Sequence, residues 1–362
     1  MNDLLKAREI INKVDAEMAR LFEERMDAAK LVAAYKKEHG IPVDDFTREE
    51  VIIKKNVAEL KNEEYKSYYT SFLRNNIDLS KALQHRLLDG MRIAYSGVKG
   101  AFASLAAKKI FPDANIVPFY DFKEAYEAVD RGECDCALLP IENSFNGDVG
   151  KVMDLSFFGN LYINGIYDAE ITQNLLALKG ATKDGIKTVL SHPQALGQCA
   201  AYIEKHGFEA KEAVNTAVAA KEVAEKGDLS IAAIGSAEAA EEFGLKILEA
   251  NINQSNINTT RFAVFSKAQK SVSKNDNHFV MLFTVKNAAG SLGRAVSVIG
   301  NHGFNLKALK SRPTKELIWD YYFYAEGEGN INSPEGKSML KELSECCNNI
   351  KIVGSFEKEI KI

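Results

Sequence analysis

Leu87-Leu88-Asp89-Gly90-Met91-Arg92-Ile93-Ala94-Tyr95 is the stretch at which the chain changes its periodicity. Upstream of Gly90 apolar residues recur at helical spacing, whereas the short apolar run over 92–95 opens a series of runs separated by helical stretches. The fold is therefore read as multidomain, all-α before this junction and α/β after it.

Before the junction, Leu4, Ile11, Val14, Met18, Leu21, Ala28, Val32 and Tyr35 form one helical stripe with no Gly or Pro until Gly40 and Pro42. A second helix is expected after Thr47-Arg48-Glu49-Glu50, a capping-box pattern, and a third carries Tyr65, Tyr69, Phe72, Leu79, Leu83 and Leu87. So few helices cannot bury such stripes alone, which favours an intertwined homodimer or higher homo-oligomer. After the junction, runs over 92–95, 136–139, 188–190, 230–234 and 262–265 read as strands, up to about Lys267, and the polar stretch 271–277 reads as a linker. Beyond it come a strand over 279–285, a helix over 292–302, strands over 304–309 and 318–325, a helix over 335–346 and a strand over 350–356. That order, βαββαβ, is the α+β ferredoxin-like motif. The expected domains are 1–89, 90–268 and 277–362.

Composition excludes several functions. A net charge of -4 with both signs interspersed offers no basic field for nucleic acid or an anionic membrane. No run approaches the length of a membrane span, and the N-terminal stretch lacks the apolar core of a signal peptide, so a cytoplasmic enzyme is expected. The five cysteines are an odd number, Cys134/Cys136 and Cys346/Cys347 sit too close to staple distant segments, and neither pair has zinc-finger partners. No metal and no cofactor are expected. The run Gly97-Val98-Lys99-Gly100 lacks the further glycine and acidic residue of a dinucleotide site.

Candidate chemistry begins with cations inside the first stripe. Arg25 and Lys36 fall within it and Arg8 at its edge. One such residue is usually a snorkelling side chain, but together with Arg48, Glu49, Ser80 and Gln84 they compose a small-anion pocket. Arg8 and Arg25 are 17 positions apart, about 25 Å along a helix, so Arg8 is expected to serve a partner's pocket. In the α/β part, Pro140-Ile141-Glu142-Asn143-Ser144, Ser191-His192-Pro193-Gln194 and Gly235-Ser236 follow strands, where open α/β sheets bind ligands. Helix capping accounts for any one of these runs, and a turn role for His192.

The helical part resembles the helical chorismate mutase family through Arg8-Glu9, Glu23-Glu24-Arg25, Lys36 and Val43-Asp44-Asp45-Phe46-Thr47-Arg48-Glu49. The resemblance implies that Arg25, with Arg8 of the other subunit, holds the two carboxylates of chorismate. Lys36 and Gln84 would face the ether oxygen, Glu49 and Asp45 the ring hydroxyl, with Arg48 and Ser80 completing the pocket. Asn258-Thr259-Thr260-Arg261-Phe262, taken with the polar runs above, resembles prephenate dehydratase over roughly 91–267. This implies a two-lobed, periplasmic-binding-protein-like fold that crosses to its second lobe near Asp168 and returns near Leu248. Thr260 would meet the leaving hydroxyl, beside Glu142 and Asn143, while Ser104, Ser191, Gln194, Thr216 and Ser236, with Arg261 and Phe262, bind substrate.

Gly290-Ser291-Leu292-Gly293 and Lys310-Ser311-Arg312-Pro313 resemble the two effector motifs of ACT regulatory domains. They imply L-phenylalanine as inhibitor, with Gly290, Leu292, Gly293, Ser311, Arg312 and Pro313 at its site. The sequence departs from these patterns at Val98, at Ala101-Phe102-Ala103, at Gly293 and at Lys310. The expectation is a bifunctional enzyme converting chorismate to prephenate and then to phenylpyruvate. An arogenate dehydratase and a non-catalytic cytosolic amino-acid sensor are the alternatives.

Overall fold

The computed structural model describes residues 3–145, 147–254, 258–314 and 320–362. It divides into two compact units, residues 1–92 with 131–135, and residues 93–130 with 136–362.

The first unit holds α1 (Asp3–His39), α2 (Phe46–Ala58) and α3 (Lys66–Asp89). Two alanines one turn apart on α1, Ala29 and Ala33, are buried, as are Ile53 on α2 and Ile77 on α3. Small side chains there let the helices approach closely. Gly40, at φ +63°, closes α1 in the left-handed conformation that a side chain resists. The second helix starts earlier than its capping-box reading: Asp45 is the cap and accepts from the Arg48 N–H at 3.0 Å, leaving Thr47 inside the helix. Toward the start of α1, Leu4, Ile11, Val14, Met18 and Leu21 remain exposed.

The second unit opens with β1 (Arg92–Ser96), α4 (Phe102–Ile110), β2 (Asn115–Phe119), α5 (Phe122–Asp130), β3 (Cys136–Asn143), β4 (Gly147–Asp148), α6 (Gly150–Phe158) and β5 (Tyr162–Glu170). The chain then crosses to a second sheet through β6 (Asn174–Ala177), β7 (Thr188–Ser191), α7 (Pro193–Gln198), α8 (Ala200–His206), β8 (Glu209–Glu212), α9 (Thr216–Lys226), β9 (Ile231–Gly235), α10 (Ala237–Glu242) and β10 (Lys246–Glu249). It returns in β11 (Thr259–Ser266), which lies antiparallel between β3 and β5. The first sheet runs β2-β1-β3-β11-β5 and the second β8-β7-β9-β6-β10. Alanines make the second sheet's contact with its helices: Ala233 on β9 packs with Ala219, Ala220 and Val223 of α9.

The remainder is β12 (His278–Val285), α11 (Ser291–Asn301), β13 (Asn305–Pro313), β14 (Tyr321–Glu328), α12 (Pro334–Cys346), β15 (Cys347–Phe356) and β16 (Ile360–Lys361). Its four long strands order as β13-β14-β12-β15, so the βαββαβ reading is observed with ferredoxin-like topology. Phe279, Met281 and Phe283 of β12 pack against Ala295 and Ile299 of α11 and against Met339 and Leu343 of α12. The strand expected over 318–325 starts, in the described part, at Tyr321, and residues 318 and 319 lie outside the described residues. Two runs expected to follow strands are strand residues instead: Pro140-Ile141-Glu142-Asn143 extends β3, and Lys310-Ser311-Arg312-Pro313 extends β13 by pairing with β14.

Gly336, in the first turn of α12, packs so closely that an added Cβ would lie 2.2 Å from the Ile331 carbonyl oxygen. Gly336→Ala is expected to cost about 1–3 kcal/mol in thermal or denaturant unfolding. Gly293→Ala, where an added Cβ meets nothing within 4 Å, should be neutral or stabilising by up to about 1 kcal/mol.

Candidate active sites

In the helical unit a cavity of about 660 Å³ is lined by Arg25, Lys36, Asp45, Arg48, Glu49, Ser80 and Gln84. These seven sequence-derived residues come together from three helices and one loop. Arg25 donates from Nη1 to the Asn76 carbonyl at 2.8 Å and to the Ser80 hydroxyl, which ties α1 to α3, and burial lowers its pKa. Lys36 Nζ donates to the Val43 carbonyl at 2.7 Å. Gln84 Nε2 donates to the Ser80 carbonyl at 3.2 Å, while its buried Oε1 has no partner among the described residues. Arg8 is exposed on α1 and does not line this cavity. Lys81 does line it, with Nζ 3.0 Å from Asp44 and 3.1 Å from Glu49. Sequence reading passed over Lys81, although it follows Ser80 directly and lies about one turn before Gln84. Four cations against Asp45 and Glu49 make a wall suited to a small dianion.

A second cavity, about 530 Å³, lies at the strand ends of the two-sheet unit and is lined by Asn143, Gln173, His192, Gln194, Gln198, Thr216, Thr260 and Phe262, among others. Thr260 pairs in register with Asn143, and Asn143 Nδ2 donates to Thr260 Oγ1 at 2.9 Å. Gln194 Nε2 lies 3.4 Å from Asn143 Oδ1. Three expected hydroxyls do not line the cleft because each is spent inside the fold. Ser191 Oγ donates to the Ile234 carbonyl at 2.6 Å, Ser236 caps α10 through the Ala239 N–H at 3.1 Å, and Ser104 is buried against Tyr95. Gln173, Gln198 and Asn258 are the polar groups that sequence reading did not assign, and only the fold brings the three together.

Glu142 and Arg261 require a correction. Successive side chains on a strand face opposite ways, so with Asn143 and Thr260 facing the cleft their neighbours Glu142 and Arg261 face its reverse. Arg261 there lies 2.9 Å from Glu142, 2.7 Å from Glu326 and 3.7 Å from Asp168, and also pairs with Glu359. Burial alone would lower the Arg261 pKa, but these carboxylates outweigh it and raise it. Burial likewise pushes Glu142 up, and Arg261 and Lys310 bring it below the usual carboxylate range. Glu142 is therefore an ionised strut and does not line the cleft. Arg312 is corrected too: its guanidinium is held by Asp154 of α6 at 2.7 and 3.0 Å, so it joins β13 to α6 and is not free for an effector. Lys310 pairs with Glu142 at 3.1 Å and with Asp148. Ser311 and Pro313 alternate to the exposed side of β13, Gly290 caps α11 at φ +80°, and Leu292 packs on the core beneath that helix.

Among the described residues no group of three or more His, Cys, Asp or Glu is placed to hold a metal ion, and no helix is long and apolar enough to cross a membrane. A cationic cavity in a helical bundle and an amide- and hydroxyl-lined cleft in a two-sheet α/β unit define an enzyme with two sites for small anionic substrates. The prephenate dehydratase family matches residues 93–270 and the chorismate mutase type II family residues 7–85. A bifunctional chorismate mutase/prephenate dehydratase of Buchnera aphidicola is 30% identical over 99% of this chain and 97% of its own. The prephenate dehydratase of Arthrobacter aurescens, solved in complex with L-Phe, superposes with a TM-score of 0.69 at 26% identity, over 74% of this chain and 90% of its own. A structure titled as a quorum-quenching acylase, GqqA, superposes equally well, with a TM-score of 0.69 at 30% identity, over 73% of this chain and 97% of its own. One fold can carry different activities, so the sites and not the fold decide function. The chain belongs to the family of bifunctional chorismate mutase/prephenate dehydratases.

His192 caps α7 by accepting the Gln194 N–H on Nδ1 at 3.2 Å, which requires that nitrogen to be unprotonated. Burial lowers its pKa below 6.5, and Glu212 only partly opposes this. With the folded pKa below the unfolded value, its stabilising contribution is complete above pH about 6.5 and is lost as pH falls through the folded midpoint. NMR titration should show a His192 midpoint below that of free histidine, and His192→Asn, which keeps an acceptor at the cap, should remove this part of the acid destabilisation.

Proposed function

We propose that the helical cavity rearranges chorismate to prephenate and that the cleft converts prephenate to phenylpyruvate. The observation carrying the second assignment is the pairing of Asn143 with Thr260 on the cleft face. The first rests on four cations in one small cavity. A Claisen rearrangement breaks an ether C–O bond as a C–C bond forms, and it needs a fixed shape and donors at the oxygen gaining charge. Arg25 and Arg48 hold carboxylates, Lys36 and Gln84 meet the ether oxygen, and Glu49 and Asp45 meet the ring hydroxyl. Arg8 completes the cavity of a second copy, whose helix covers the exposed stripe of Leu4, Ile11, Val14, Met18 and Leu21.

In the cleft, the ring carboxylate leaves as carbon dioxide, its bonding electrons enter the ring, and the ring hydroxyl departs with a proton as water. Thr260 hydrogen-bonds the departing oxygen. A neutral hydroxyl is a poor acid, so the proton itself comes from elsewhere. Asn143, Gln194 and Thr216 orient the remaining polar groups. The domains of this reading are 1–89 for the mutase, 90–268 for the dehydratase and 277–362 for an ACT-type regulatory part, in a cytoplasmic protein. L-phenylalanine acts on the last through the Gly290–Gly293 turn and Ser311. The L-Phe complex of the Arthrobacter aurescens relative supports this choice of effector.

Thr260→Ala should lower dehydration of prephenate by about 100-fold or more while chorismate consumption continues. Arg25→Ala should lower chorismate consumption by a comparable factor while added prephenate is still dehydrated. Product analysis with each substrate checks both, and loss of both activities from either folded variant would contradict two separate sites.

A further inference from the structure

The geometry points to Asn258 as a positioning residue that, together with the Phe145 N–H, holds the Asn143 amide turned so that Thr260 is a hydrogen-bond donor toward the substrate. This rests on the reading of Thr260 given above. The Phe145 N–H donates to Asn143 Oδ1 at 3.1 Å, and a backbone N–H can only donate. Asn143 is thereby fixed with its NH2 toward Thr260 Oγ1 at 2.9 Å and Asn258 Oδ1 at 3.1 Å, with the Thr259 carbonyl at 3.3 Å on the same side. Asn258 must then turn its own NH2 to Gln198 Oε1, at 2.9 Å, and it receives Gln198 Nε2 on Oδ1 at 3.4 Å. Gln173 Nε2 donates to the same Gln198 oxygen at 3.2 Å.

Reversing Asn143, Asn258 or Gln198 would set donor against donor or acceptor against acceptor. Asn143, Asn258, Gln198 and Gln173 are all more than nine-tenths buried, where a mismatch is costly. The result reaches Thr260, whose oxygen is occupied as an acceptor by Asn143. Among the described residues none takes its hydroxyl hydrogen, which is left for the departing oxygen of the substrate. Asn258 does not line the cleft and meets it through Asn143 and Gln198, of which Asn143 bonds Thr260.

Asn258→Asp tests this. The introduced carboxyl, when ionised, sets an oxygen against Gln198 Oε1 and is pushed away from Asn143, which loses its Asn258 acceptor; when protonated, it restores the original pattern. At pH 8 the dehydration kcat should fall roughly tenfold or more with little change in KM, and it should recover as the pH is lowered. His192 and Tyr120 line the same cleft, so the wild-type pH profile is measured in parallel. Asn258→Leu, of similar volume and without polar groups, should lose kcat at every pH, with melting curves and chorismate consumption reporting the fold. Wild-type kcat in either variant, an effect confined to KM, or an Asn258→Asp loss that acid does not reverse would overturn the inference. Thr260→Ala is assayed alongside. If it retains dehydration, the reading of Thr260 fails; if it loses dehydration and the Asn258 variants do not, only this inference fails.

Discussion

The antiparallel register of β11 on β3, which sets Thr260 opposite Asn143 and Arg261 opposite Glu142, is the constraint on which the second unit depends. A strand has two faces, so this single pairing sorts four adjacent polar residues into two groups. Thr260 and Asn143 reach the cleft. Arg261 and Glu142 reach the reverse face, where Glu326 of β14 and Lys310 of β13 meet them. A slip of β11 by one residue would place the Arg261 guanidinium in the cleft and the Thr260 hydroxyl among buried carboxylates. Glu326 is only 3% exposed, so the cluster holds the register: removing Arg261 would strand a buried charge, at a cost of about 3–5 kcal/mol.

The helical unit works by another constraint, the period of α1. Positions spaced at whole turns share a face, so Arg25, Ala29, Val32 and Lys36 line one cavity wall, and Ala29 and Ala33 let neighbouring helices approach it. The same long helix carries an apolar stripe, Leu4, Ile11, Val14, Met18 and Leu21, that α2 and α3 leave exposed. One element therefore supplies both the cavity and the face that a second copy would cover.

Periodicity made the helical cavity legible, because six of its residues follow from helical spacing and chemical type, and the family resemblance added Asp45. In the second unit the strands and the βαββαβ order were legible, but which side chains face the cleft was not. Glu142 and Asn143 are neighbours in sequence, and only cross-strand pairing decides which one faces Thr260's side. β5 went unread because Asn164, Gly165 and Asp168 interrupt its apolar pattern; Asn164 is instead satisfied by Ser266 and the Ala268 carbonyl on the returning chain. Ser104, Ser191 and Ser236 carry suitable hydroxyls, but backbone carbonyls, a helix cap and a buried tyrosine take them. Local sequence does not show whether a hydroxyl is already engaged.

The central claim is that the Asn143 and Thr260 face, and not the Glu142 and Arg261 face, receives prephenate. The most direct measurement is a crystal structure of the Thr260→Ala protein with prephenate bound. The substrate should lie in the two-sheet cleft with its ring hydroxyl directed at position 260 and within hydrogen-bonding distance of Asn143. Prephenate lying against Glu142 and Arg261, or bound outside the cleft, would contradict the account.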